Sequence, residues 1–158
     1  MRYGTVLGAG RLEIPDAGQQ LVGVAFRTGL GFQGRQIVIA ALREMTVPAL
    51  FAAELEPEIN RLYLAGGLSS YRNIIETEDY RHTFANFLPN ILAHTDLPDL
   101  IAGLAPRRVL IRGAVDAKGA VHSMRVAQEI YGKALARGHV DLREQDGWSG
   151  AAIKEFCS

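Results

Sequence analysis

Three apolar runs, at 37–41 (Ile-Val-Ile-Ala-Ala), 62–65 (Leu-Tyr-Leu-Ala) and 109–111 (Val-Leu-Ile), alternate with stretches of helical apolar spacing. This alternation constrains the fold more than any other feature of the chain. Runs without polar interruption mark strands buried on both faces. A helix is predicted from about Val47 to Leu55, with Pro48 tolerated in its first turn. A second is capped by Thr95 or Asp96, and its Leu97, Leu100, Ile101 and Leu104 fall at i, i+3, i+4 and i+7. A third, from about Ser123 to Ala136, would bury Val126/Ala127, Ile130/Tyr131 and Ala134/Leu135. Residues 140–143 (Val-Asp-Leu-Arg) alternate apolar and polar as a half-exposed edge strand does, and 151–156 predicts a short terminal helix. Parallel neighbours require crossover helices. The expected fold class is therefore α/β: an open, mostly parallel sheet with helices on both faces, its four strands adjacent in sequence order.

The length of 158 residues suits one domain, 1–158, in which 1–36 is an irregular N-terminal segment. Residues 3–7 and 21–26 could each form a short strand there. Gly8-Ala9-Gly10 fails as a dinucleotide loop: Glu13 stands where the third glycine belongs, and Pro15 follows where a long helix should run. No cofactor is expected. Seventeen basic side chains against seventeen acidic ones leave a formal net charge of zero, which argues against a nucleic-acid binder. The same neutrality weakens repulsion between copies. A single cysteine, Cys157, cannot form an intrachain disulfide and matches no zinc spacing. No apolar stretch nears the ~18–20 residues of a membrane span. The expected setting is cytoplasmic, without membrane contact.

From residue 37 onward the chain resembles the C-terminal half of an α/β-hydrolase, in the acetyl xylan esterase and dienelactone-hydrolase-like branch. The likeness is carried by Arg61-Leu62-Tyr63-Leu64-Ala65-Gly66-Gly67-Leu68-Ser69-Ser70-Tyr71-Arg72 and by Glu78-Asp79-Tyr80-Arg81-His82-Thr83-Phe84-Ala85-Asn86-Phe87. His94-Thr95-Asp96-Leu97-Pro98 and Ala105-Pro106-Arg107-Arg108-Val109 continue it. Such a fold implies a Ser-His-Asp triad with its serine on a sharp strand-to-helix turn, G-x-S-x-G. Here that turn reads Ala41-Leu42-Arg43-Glu44-Met45, with Arg43 in the serine's place. A guanidinium can neither be deprotonated nor form an ester intermediate. Asp116 is the positional match to the triad acid, although with the nucleophile lost a turn-forming or helix-capping aspartate is the favoured account of it. Gln145-Asp146-Gly147-Trp148-Ser149 stands where the base should lie and holds no histidine; His139 begins the strand at its opposite end.

The resemblance thus implies a hydrolase-like protein without a working triad, non-catalytic or with an unrecognised binding role. Two alternatives stay open: an esterase with a non-standard or intersubunit site, and a small-molecule binding module built on residues 68–95. Ser69-Ser70, after a strand and two glycines, could be a displaced nucleophile, but sequence offers no histidine partner. Glu76, Glu78, Asp79, His82, His94 and Asp96 are metal-ligating types in no known ligand spacing, so no metal is expected. Phe84, Phe87, Leu88, Ile91 and Leu92 fall at helical spacing and should pack the excursion onto the sheet. Arg107-Arg108 read as a solvated pair. The missing N-terminal strands would leave the strand at 37–41 with an open apolar edge. Residues 21–26 could fill the gap, but Gly23 weakens that strand and no helix signals around it support a crossover, so a homodimer burying residues from 1 to 45 is expected.

Overall fold

The computed structural model describes residues 23–28, 36–145 and 147–157. The strand expected at 3–7 and the Gly8-Ala9-Gly10 turn lie outside them. Five strands form one sheet in the order β1-β2-β3-β4-β5: β1 (Gly23–Thr28), β2 (Gln36–Leu42), β3 (Ile59–Ala65), β4 (Arg108–Arg112) and β5 (Val140–Arg143). The last four are mutually parallel and adjacent in sequence order, as the apolar runs require. Six α-helices accompany them: α1 (Thr46–Leu55), α2 (Tyr71–Ile75), α3 (Leu97–Gly103), α4 (Met124–Ile130), α5 (Gly132–Ala136) and α6 (Gly150–Cys157). Among the described residues no helix is long and apolar enough to cross a membrane.

Side chains alternate across the strands with period two, and each face has its own core. Ala41, Leu62, Leu64, Val109, Ile111, Val140 and Leu142 pack under α1 to α5. Val38, Ala40, Tyr63 and Ala65 pack against Ile153 and Phe156 of α6. This asymmetry follows from topology: when strand order runs steadily one way, crossovers of one hand place every connecting helix on the same face. Only α6, which follows the last strand, is free to cross to the other.

β1 pairs antiparallel with β2, Gly23 opposite Ala41 through Thr28 opposite Gln36. An antiparallel neighbour needs only a short connection, so the lack of crossover-helix signals before residue 36 was no obstacle to pairing. The edge of β2 is covered by this chain's own strand, and the argument for a dimer from an open β2 edge loses its premise.

Two local expectations are corrected. The helix expected from Ser123 to Ala136 breaks at Tyr131, which sits outside helical geometry (φ −94°, ψ 15°) between α4 and α5. The residue after it, Gly132, disfavours a helix interior. The excursion after β3 does not pack all five of its expected apolar residues onto the sheet. It makes two 3₁₀ turns, Phe84–Asn86 and Ile91–Ala93. Phe87, Ile91 and Leu92 pack on the core, while Phe84 and Leu88 face outward. Phe84 stacks edge-to-face with Tyr80 and Phe87 instead. Asn86 pins the first turn, donating from its carboxamide to the Glu44 carbonyl at 2.6 Å and accepting the Tyr71 hydroxyl on its own carbonyl at 2.6 Å.

Candidate functional site

The strand-to-helix turn after β2 forms where the resemblance puts the hydrolase nucleophile. Leu42 ends the strand, Arg43–Met45 form a 3₁₀ turn and α1 begins at Thr46. Arg43 has φ 51°, a left-handed backbone that costs a side-chain-bearing residue about 1 kcal/mol or more and persists only where its surroundings impose it. The Thr46 hydroxyl donates to the Arg43 carbonyl at 2.7 Å and closes the turn. Thr46 in turn lies so close to Gly67 that a Cβ there would come 2.1 Å from its Oγ1. The elbow is thus built and tightly packed, and its tip carries an exposed arginine.

Asp116, the match to the triad acid, lies after β4 and is engaged in turn formation. Its Oδ1 accepts the Lys118 and Ala120 amides at 2.8 and 2.9 Å, and its carbonyl meets His82 Nε2 at 2.9 Å. His139 stands at the amino end of β5, buried, with Nε2 against the Ile101 carbonyl at 2.8 Å.

The structure pairs two residues that sequence did not connect. Ser69 Oγ lies 2.9 Å from His122 Nε2 and donates to Asn73 Oδ1 at 2.9 Å. Past its regular strands the sheet continues as single bridges, Leu68 with Val115 and Val115 with Val121. These align the following residues, Ser69 and His122. The missing histidine partner of Ser69 is supplied by a hairpin closing at 116–119. Its signal was Asp116-Ala117-Lys118-Gly119 between two valines, a turn composition inside a bridging pair. Burial holds the His122 imidazole below its ordinary pKa, a shift opposed by the Asp116 charge. The shift favours the neutral ring.

Ser69 has one proton to give. Donated to the Asn73 carboxamide oxygen, it leaves His122 Nε2 as a donor and makes the cluster a structural knot. With the carboxamide turned over, Ser69 donates to His122, the arrangement of a nucleophile and its base. Ser69 is 0% exposed, and the Tyr131 hydroxyl reaches its carbonyl at 3.5 Å.

Ser70 and Asp96 serve the fold. The Ser70 hydroxyl is bonded to Asp96 Oδ2, and Asp96 Oδ1 accepts the Tyr71 and Leu97 amides, both at 2.7 Å. Glu76, Glu78, Asp79, His82, His94 and Asp96 do not converge. Among the described residues no group of three His, Cys, Asp or Glu side chains is placed to hold a metal ion. A cavity of about 20 Å³ lies between α1, β3, α3 and α5, lined by Val47, Leu50, Leu97, Ile101 and Tyr131 among others. That holds about one water, far short of the ~300–1,000 Å³ of a ligand pocket.

No family model, curated protein or solved structure matches the chain. The α/β fold with its parallel sheet is compatible with an α/β-hydrolase-like protein, and that is as far as the architecture alone reaches.

Proposed function

We propose that this chain is an α/β-hydrolase-like domain without a working Ser-His-Asp triad, acting by binding and not by turnover. The observation that supports this reading is Arg43 at φ 51°, occupying the tip of a well-formed elbow. The backbone geometry for presenting a nucleophile is in place, and the side chain presented has no nucleophilic chemistry. Gln145-Asp146-Gly147-Trp148-Ser149, the family's position for the base, holds no histidine. Hydrolysis of short-chain aryl esters is expected at background, and Arg43→Ser alone should leave it there, because the family's base position holds no histidine to take the proton. Ordinary esterase turnover by the wild-type chain would overturn the proposal.

One observation favours a second reading, an esterase with a non-standard site: the 2.9 Å contact of Ser69 and His122. It requires Ser69 to become accessible. It also carries its own signature. Turnover would vanish in Ser69→Ala and His122→Gln, and would fall with acid as His122 takes up a proton below its ordinary value of 6.5.

Self-association is the remaining part of the proposal. β1 is the outermost strand of the described sheet, and an unpaired strand edge invites pairing with a second copy. The zero net charge offers little repulsion. Light scattering at micromolar concentration should give twice the chain mass; a monomer would exclude it.

A further inference from the structure

We propose that the carboxyl end of the sheet binds a small multivalent anion bearing phosphate or carboxylate groups, held by Arg43, Arg112 and Arg143. The inference goes beyond the non-catalytic reading and does not depend on it.

The sheet register brings the three to one end of the sheet, Arg112 and Arg143 adjacent and Arg43 two strands from Arg112. Leu42, Ala65, Arg112 and Arg143 are successive cross-strand partners along one row, and Arg43 follows Leu42 directly. Neighbours in a row stand about 4.8 Å apart on the same face. Arg112 and Arg143 are therefore side by side, a like-charge pair that destabilises a sheet unless something answers it. Among the described residues nothing does. Among the described residues no carboxylate oxygen lies within 4.0 Å of any of the three guanidinium groups; the ion pairs found are Arg108–Asp141, Arg125–Glu129 and Lys133–Asp99. Asp141, the nearest acid along β5, is turned to Arg108 at 3.7 Å. Glu44 and Glu144 adjoin Arg43 and Arg143 in sequence, are exposed, and pair with neither.

The hydrogen bonds these arginines do make go to backbone carbonyls: Arg112 Nε to Gln145 at 3.2 Å and Arg143 Nη1 to Leu142 at 3.1 Å. Each guanidinium has five N–H donors, so most remain unspent. Arg112 is also held in place, because the backbone at Gly147 lies against it and a Cβ there would come 2.2 Å from Nη2. Two glycines stand at this end of the sheet and add no side chains of their own. Gly66 follows Ala65 at the tip of β3 and Gly113 follows Arg112 at the tip of β4. A Cβ on Gly66 would meet Arg43 Cγ at 3.5 Å, so the Arg43 stem lies beside that glycine.

Aggregation-guarding charge on an edge strand explains Arg143 at most. It does not explain Arg112, on a strand paired on both sides, or Arg43, on the opposite flank. The location is where ligands of open parallel sheets bind, beyond the carboxyl ends. The planar guanidinium fork matches phosphate and carboxylate oxygens two at a time. A multivalent anion would answer all three charges.

The test is calorimetric titration of the full chain, at low ionic strength, with inorganic pyrophosphate in one arm and citrate in the other. Saturable binding in either arm is expected, and the tighter arm identifies the phosphate or the carboxylate class. Arg112→Ala/Arg143→Ala and Arg43→Ala should each weaken it by about tenfold or more, the loss of one charge-assisted contact or better. Arg43 and Arg143 are exposed and Arg112 is half-buried, and circular dichroism checks that the variants fold. Arg125→Ala, on the exposed face of α4, should leave affinity unchanged. Absence of binding in both arms, or equal weakening by Arg125→Ala, would overturn the proposal.

Discussion

Replacing Asp96 by alanine is expected to destabilise the chain by about 3 kcal/mol or more, enough to lower Tm by roughly 10 °C in a domain of this size. The carboxylate is 8% exposed and answers donors from two elements. Oδ1 takes the amides of Tyr71 in α2 and Leu97 in α3; Oδ2 takes the Ser70 hydroxyl, with the Arg72 amide at 3.4 Å. Alanine removes the acceptor and leaves the buried Tyr71 and Leu97 amides without partners, at about 1–3 kcal/mol each where water cannot reach them, while the Arg72 amide keeps the Ser70 hydroxyl at 3.0 Å. Asp96→Asn is the informative control. Its carbonyl can keep both amides, and its NH₂ can donate to a reoriented Ser70 hydroxyl, so a loss of only about 1 kcal/mol is expected. Chemical denaturation of the three proteins measures both values. Equal losses for alanine and asparagine would show that charge, and not acceptor count, holds the junction of α2 and α3.

Most of the sheet was legible because its residues obey one strong rule. Ile37 to Ala41, Leu62 to Ala65 and Val109 to Ile111 are buried between two layers, and no other short element requires apolar side chains at successive positions. Asp96 announced α3 by ordinary capping chemistry, and its side chain does accept the Leu97 amide. What escaped was set by contacts distant in sequence. Phe84 and Leu88 have helical spacing, yet Asn86 is claimed by Glu44 and Tyr71, which forces a 3₁₀ turn and swings Phe84 outward. Ser69 and His122 lie 53 residues apart. Their meeting depends on β3 and β4 being parallel neighbours and on a hairpin after β4, and only the first of these was visible. Arg43 is the instructive middle case. Its side chain is legible as incompatible with a nucleophile, but its left-handed backbone, closed by the Thr46 hydroxyl on its carbonyl, is reported by no local pattern.

The second large effect is expected at Tyr63, which fixes the only α-helix on the second face among the described residues. Tyr63 is fully buried at the middle of β3. Its ring meets Trp148 and Phe156 edge-to-face at centroid distances of 6.0 and 5.8 Å, and its hydroxyl donates to the Gly147 carbonyl at 2.8 Å. Three segments thus converge on one side chain: the strand, the loop before α6 and the end of α6. Tyr63→Ala should destabilise by about 3–5 kcal/mol, from lost transfer and contact energy plus a cavity that cannot close. Tyr63→Phe keeps the ring contacts and loses one hydrogen bond, so about 1 kcal/mol is expected. A local readout accompanies the global one. Burial raises the Cys157 thiol above its ordinary pKa, and that burial depends on α6 lying against the sheet beside Phe156. In Tyr63→Ala α6 should lift more often, and Cys157 should react with a thiol reagent markedly faster than in wild type under native conditions. Tyr63→Phe should react at nearly the wild-type rate. An unchanged Cys157 rate in Tyr63→Ala would mean that α6 is held by Ile153 and the Arg61 guanidinium, which donates to the Phe156 carbonyl at 2.8 Å, without help from the aromatic cluster.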